Sequence, residues 1–182
     1  MQVIAHQTAT YYQKIGEHNQ VIVLLHGWGH QSETFAQLIP GLSDHFQVIT
    51  PDLPAFGRSA HPELTADQAW DSAEYVTWLR EFIQQVIPNQ PFCLLGHSFG
   101  GKIAALYAAT QHDPNLHHLI LMDASGLPLP LTLKEQFVQA VAGCLPSSLK
   151  QKMRTVTQQL LQSQGIAQDY QQASPAQQAI LR

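Results

Sequence analysis

The 182-residue sequence predicts an α/β protein, a mostly parallel sheet flanked by helices, on three observations. Apolar runs of strand length alternate with helix-like stretches, the order that βαβ crossovers produce. Val21-Ile22-Val23-Leu24-Leu25 is continuously apolar and mostly β-branched, as in a strand buried on both faces. Gly96-His97-Ser98-Phe99-Gly100 joins the apolar run Phe92-Cys93-Leu94-Leu95 to the helix-like run from Lys102 to Ala109, so the chain there reads strand, sharp turn, helix.

Taken in order, Thr8 to Ile15 and Val21 to Leu25 read as strands, Phe35 to Leu42 as a short helix, and Phe46 to Thr50 as a strand. Trp70 to Ile87 reads as an amphipathic helix: Trp70, Ala73, Val76, Trp78, Leu79, Phe82, Ile83 and Val86 recur at spacings of three and four and describe a core-facing stripe. His118 to Asp123 forms the next strand, ending in Ala124-Ser125-Gly126, and Pro40 and Pro88 fit helix ends. From Leu127 the character changes. Pro128 and Pro130 close the strand's exit, and Leu131 to Arg182 reads as glutamine-rich helices broken at Pro146, Gly165 and Pro175, with Val156, Leu160 and Leu161 keeping a helical apolar spacing. The chain thus divides into a core, residues 1–126, and a helical segment, residues 127–182.

Composition narrows the function classes. Lys+Arg 9 against Asp+Glu 13 gives a net charge of −4, which offers no basic face for nucleic acid or an anionic membrane. Met1-Gln2-Val3-Ile4-Ala5-His6-Gln7 turns polar almost at once and no apolar run approaches about 18 residues, so a cytoplasmic protein is expected. Cys93 and Cys144 are far apart and read as small core residues. His26 and His30 have a four-residue spacing but lie across a Gly-Trp-Gly turn, and Gly96 to Gly101 carries neither a Walker ending nor a dinucleotide fingerprint; no metal and no cofactor are expected.

The turn at Ser98 carries chemistry. A serine between a strand and a helix is held in a strained conformation with its hydroxyl clear of the sheet, which makes Ser98 the candidate nucleophile. Attack by a serine creates a tetrahedral oxyanion that needs fixed donors, and two backbone amides are in place to supply them. One belongs to Phe99, at the positive end of the following helix, and the other to Trp28, in the turn after His26, where Gly27 allows close approach. Losing one such donor typically costs about 3 kcal/mol of transition-state stabilisation.

Three motifs now resemble those of the α/β-hydrolase superfamily, and the resemblance covers essentially the whole sequence. His26-Gly27-Trp28-Gly29 is similar to its oxyanion loop, Gly96 to Gly100 to its nucleophile elbow, and Pro51-Asp52-Leu53-Pro54-Ala55-Phe56-Gly57-Arg58-Ser59 to the loop after the next strand. Members usually carry glycine where this chain has Ala55; if that position needs a positive φ, alanine is strained there by about a kcal/mol. The resemblance implies a serine hydrolase, with residues 127–182 as the start of a helical cap that chooses a small-molecule acyl substrate. The bond cleaved would be an ester, thioester, amide or carbon–carbon bond next to a carbonyl.

The family's acid and histidine follow two later strands beyond the cap, and the histidines after Ser98 are His112, His117 and His118, all between the elbow helix and the following strand. The fold is therefore read as incomplete and the triad as partial. Asp123, at the end of the strand after the nucleophile, is a candidate acid or pocket residue. His97, next to Ser98 in sequence, is expected to point away from the line of attack, and His26 to shape its turn. The alternative is a truncated or degenerate chain that binds a ligand or partner without turnover, with self-association through a sheet edge left open.

Overall fold

The computed structural model describes residues 1–63 and 70–126; the cap read for residues 127–182 and the core role read for Cys144 lie outside the described residues. Six strands form one sheet: β1 (Gln2–Ala5), β2 (Thr8–Ile15), β3 (Val21–Leu25), β4 (Gln47–Pro51), β5 (Phe92–His97) and β6 (Leu116–Met122). Their spatial order is β1-β2-β4-β3-β5-β6. β3 pairs in parallel with both β4 and β5, and β5 with β6, while the hairpin partners β1 and β2 and the β2–β4 pair run antiparallel.

The central place of β3 explains its composition. All five of its residues are buried. Val21, Val23 and Leu25 pack on one face with α2 (Ser72–Val86), α3 (Phe99–Gln111), Leu94 and Ile103, whereas Ile22 and Leu24 pack on the other with Phe35, Ile39, Val48 and Leu95. On α2, Tyr75, Val76, Trp78, Leu79, Phe82 and Ile83 are buried along one stripe. A capping box starts this helix: Glu74 N donates to Asp71 Oδ1 at 3.3 Å and Asp71 N donates to Glu74 Oε2 at 2.8 Å.

Three local expectations are corrected. The single helix read over Phe35 to Leu42 is two pieces, a 3₁₀ turn at Ser32–Phe35 and α1 at Ile39–Ser43. Pro40 has no N–H to give to Ala36, so it breaks a continuous helix there and sits instead in the first turn of a new one. β1 was not expected: its hairpin turns at His6 and Gln7, both at positive φ (46° and 58°), where a hairpin more often carries Asn-Gly. Side chains of α2 secure it, with His6 N donating to Glu81 Oε2 at 2.6 Å and Gln85 Nε2 to Ile4 O at 2.7 Å. Finally, β6 starts at Leu116, two residues before the expected His118, so His117 also lies within it.

β6 is an edge among the described residues, and Leu119, Ile120 and Met122 on it are 38–42% exposed. Among the described residues no helix is long and apolar enough to cross a membrane.

Candidate active site

β5 and α3 meet at Ser98, whose φ of 50° and ψ of −112° fall outside the regions that L-residues favour. The surrounding backbone fixes this conformation. Ser98 N donates to Met122 O at 3.0 Å, Ser98 O accepts from Lys102 N at 3.1 Å, and Ser125 N donates to Ser98 O at 3.0 Å. Strand and helix fold back closely because glycines line the junction. A Cβ on Gly96 would run into Gly100 O and lie 2.6 Å from Gly101 Cα, and one on Gly100 would run into the carbonyl oxygen of Leu25.

The turn after β3 comes up against this elbow. A Cβ on Gly27 would lie 3.1 Å from His97 Nδ1 and 3.3 Å from Ser98 Cβ, so a larger residue would have to push the two loops apart. Next in the chain, the Trp28 ring meets Phe56 and Phe99 edge to face, with centroids 4.9 and 5.4 Å apart. Phe99 meets Tyr75 at 5.1 Å and Tyr75 meets Trp70 at 5.2 Å, again edge to face. Five rings from four separate segments thus run in one row. Among the described residues the main-chain amides of Trp28 and Phe99 donate no hydrogen bond.

His26 and Asp52 hold the loops in place from below. His26 is fully buried; its Nε2 accepts from Leu53 N at 2.9 Å, which leaves Nδ1 to carry the proton and donate to Gly27 O at 2.8 Å. Burial disfavours the charged imidazolium and pushes the pKa of His26 down to about 4. Asp52, also fully buried, accepts from Ser32 N at 2.7 Å and from Arg58 N at 2.8 Å. Its carboxylate occupies the space a Cβ on Gly57 would need. Arg58 caps this tie from outside, its guanidinium 3.8 Å from the centroid of the Tyr11 ring and paired with Glu33.

The remaining sequence expectations fall on both sides of the sheet. His97, expected to point away from the line of attack, lies with Nδ1 against Gly27, where that atom is buried and among the described residues has no hydrogen-bond partner. Asp123 is exposed at the carboxyl end of β6, at φ 47°, between Met122 and Ser125, whose backbones bond Ser98. His112 caps the far end of α3, and His117 and His118 begin β6, away from the elbow. None of the ten histidines hydrogen-bonds Ser98. Phe56 escaped sequence reading; its place one residue after Ala55, in a loop matching a motif, was the available signal. Among the described residues no group of three or more His, Cys, Asp or Glu side chains could hold a metal ion.

Comparison with known proteins identifies the family of the fold. Residues 20–164 match the family model described as alpha/beta hydrolase fold. The chain is 32% identical over 136 residues to a 1-acylglycerol-3-phosphate O-acyltransferase of Arabidopsis thaliana, covering 72% of this chain and 31% of that protein. It is 35% identical over 104 residues to a pimeloyl-[acyl-carrier protein] methyl ester esterase of Aeromonas hydrophila, covering 57% of this chain and 37% of that one. Among solved structures, a bacterial membrane phospholipase A superposes with a TM-score of 0.64 at 27% identity, over 72% of this chain and 41% of that chain. The chain therefore spans about a third of the length of the curated relatives it matches.

Proposed function

Because this chain belongs to the alpha/beta hydrolase fold family, we propose that it acts at the carbonyl of a small-molecule acyl ester, with Ser98 as nucleophile. The observation that carries this reading is the strained backbone of Ser98, with the turn at Gly27 packed against it; among the described residues the amides of Trp28 and Phe99, the next residue in each turn, donate no hydrogen bond. Backbone strain of this kind is kept at sites where position matters more than stability.

In the reaction, the Ser98 hydroxyl oxygen bonds to the carbonyl carbon and its proton passes to a base. The carbonyl oxygen takes up the negative charge between the amides of Trp28 and Phe99. Collapse expels the alcohol, which takes a proton, and leaves the acyl group on Ser98. Water then releases the acid, or a second alcohol receives the acyl group. An ester is favoured over a thioester, amide or carbon–carbon bond because the relatives named above are a methyl ester esterase, a phospholipase and an O-acyltransferase. His26 keeps the oxyanion turn in place and is not the base, since both its ring nitrogens are engaged.

A second reading is a chain that holds an acyl ligand without turnover; among the described residues no histidine hydrogen-bonds Ser98. One experiment separates the two. The catalytic reading expects a fluorophosphonate probe to label Ser98 and a short p-nitrophenyl ester to be hydrolysed, with both signals lost in Ser98→Ala. A folded, monodisperse sample that takes up no label would exclude it.

A further inference from the structure

At the amino ends of the strands, opposite Ser98, the last turns of α2 and α3 and the loops that enter β5 and β6 line a cavity of about 470 Å³. Its floor is apolar and belongs to the core: Ile83, Ile87 and Tyr107 line it and are all but closed to solvent. Two charged side chains line it as well, Arg80 of α2 and Asp113 of the loop before β6. Neither neutralises the other. Arg80 forms no ion pair or hydrogen bond among the described residues, whereas the other described arginine, Arg58, has carboxylates of Glu33 and Asp52 beside it. Its own helix offers no partner: the positions three and four residues away are Val76, Thr77, Ile83 and Gln84, and Glu81, next in sequence, accepts from His6 N at the β1 hairpin. Asp113 is fixed by other donors. Its Oδ2 accepts from the Tyr107 hydroxyl at 2.5 Å and its Oδ1 from Asn115 N at 2.9 Å, and an ionised carboxylate with one bond on each oxygen has room for more. Burial, and after it the bond to Asp113, pushes the Tyr107 phenol up while the charge of Arg80 acts the other way, so the guanidinium is within electrostatic reach of this pair without closing on it.

We propose that this cavity binds a free amino acid with an apolar side chain, its carboxylate on Arg80 and its ammonium on the side of Asp113. Opposite charges held apart in one cavity match a ligand that carries both. The guanidinium fork takes the two oxygens of a carboxylate, and the ammonium is drawn to Asp113 and to the negative ends of two helices, α2 and α3, that finish here. A plain anion would meet that negative potential with nothing to offset it, and a plain amine would leave Arg80 unpaired. The apolar floor receives the side chain, and the volume suits a ligand of this size.

L-leucine is the probe. Added to the full chain, it should shift the backbone amide resonances of Asn89, Gln111 and Asn115 saturably, with a Kd on the order of a millimolar for so small a ligand. Two analogues of the same shape test the two charges: 4-methylpentanoate lacks the ammonium and 3-methylbutylamine lacks the carboxylate, and each should bind about tenfold more weakly or worse. Arg80→Gln changes an exposed side chain that holds nothing else, so the thermal midpoint should stay and leucine binding should fall by a similar factor, with 3-methylbutylamine unaffected. Absence of saturable shifts with leucine overturns the inference. So does 4-methylpentanoate binding as tightly as leucine, which would mark a bare anion site, or an Arg80→Gln variant that binds leucine as the wild type does. Because the cavity lies at the opposite end of the sheet from Ser98, each of these outcomes is independent of the nucleophile reading.

Discussion

His26 Nε2 accepts the amide hydrogen of Leu53 at 2.9 Å while its Nδ1 donates to Gly27 O at 2.8 Å, so one neutral ring joins the oxyanion turn to the loop after β4. In the folded chain it stays uncharged down to a pKa of about 4, against an ordinary histidine value of 6.5. The unfolded chain therefore binds this proton first as pH falls, and stability is lost between about pH 6.5 and pH 4. From His26 alone the loss should approach roughly 3 kcal/mol at the acid end. Urea titrations at pH 7 and pH 4.5 check this, and His26→Gln should be less stable at pH 7 yet show a flatter dependence on pH.

Asp52 accepts two backbone N–H groups from segments on either side of the site. Asp52→Ala leaves the buried Ser32 N–H and the part-buried Arg58 N–H without their acceptor, and the expected loss is about 2–3 kcal/mol. Because the loops it ties carry Phe56 and the residues after Trp28, labelling of Ser98 should slow even at temperatures where the variant is folded. Denaturant midpoints and probe kinetics measured together would show both effects.

Ala55 adopts φ 72°, so the strain anticipated from its sequence position is present. Its amide still donates to Ala60 O at 3.0 Å, so glycine there relieves the side chain without losing the bond. Ala55→Gly should raise stability by about 0.5–1 kcal/mol, the left-handed penalty less the extra freedom glycine has when unfolded. A lower thermal midpoint would contradict this account.

Ser98 carries the same kind of strain for a different purpose. Ser98→Gly should stabilise the protein by about 1 kcal/mol while removing all probe labelling, whereas Ser98→Ala should lose labelling without that gain. Calorimetry on the two variants, side by side, distinguishes relief of backbone strain from loss of the hydroxyl.

The parts of this chain that could be read from sequence are those in which one local pattern dictates one geometry. Val21 to Leu25 is apolar throughout because it is buried on both faces, and the elbow at Ser98 needs its glycines because strand and helix backbones nearly touch. Other parts depend on partners far away in the chain. The β1 hairpin turns on His6 and Gln7, residues with no turn preference, and is secured by Glu81 and Gln85. The row of rings gathers Phe56, Trp28, Phe99, Tyr75 and Trp70 from separate elements, and no spacing rule links them.

The backbone of Ser98 is tied to Met122 and Ser125 at the exit of a neighbouring strand. The backbone that aims the proposed nucleophile is thus carried by the sheet itself, so a substitution elsewhere that suits a new acyl group leaves the direction of the serine unchanged.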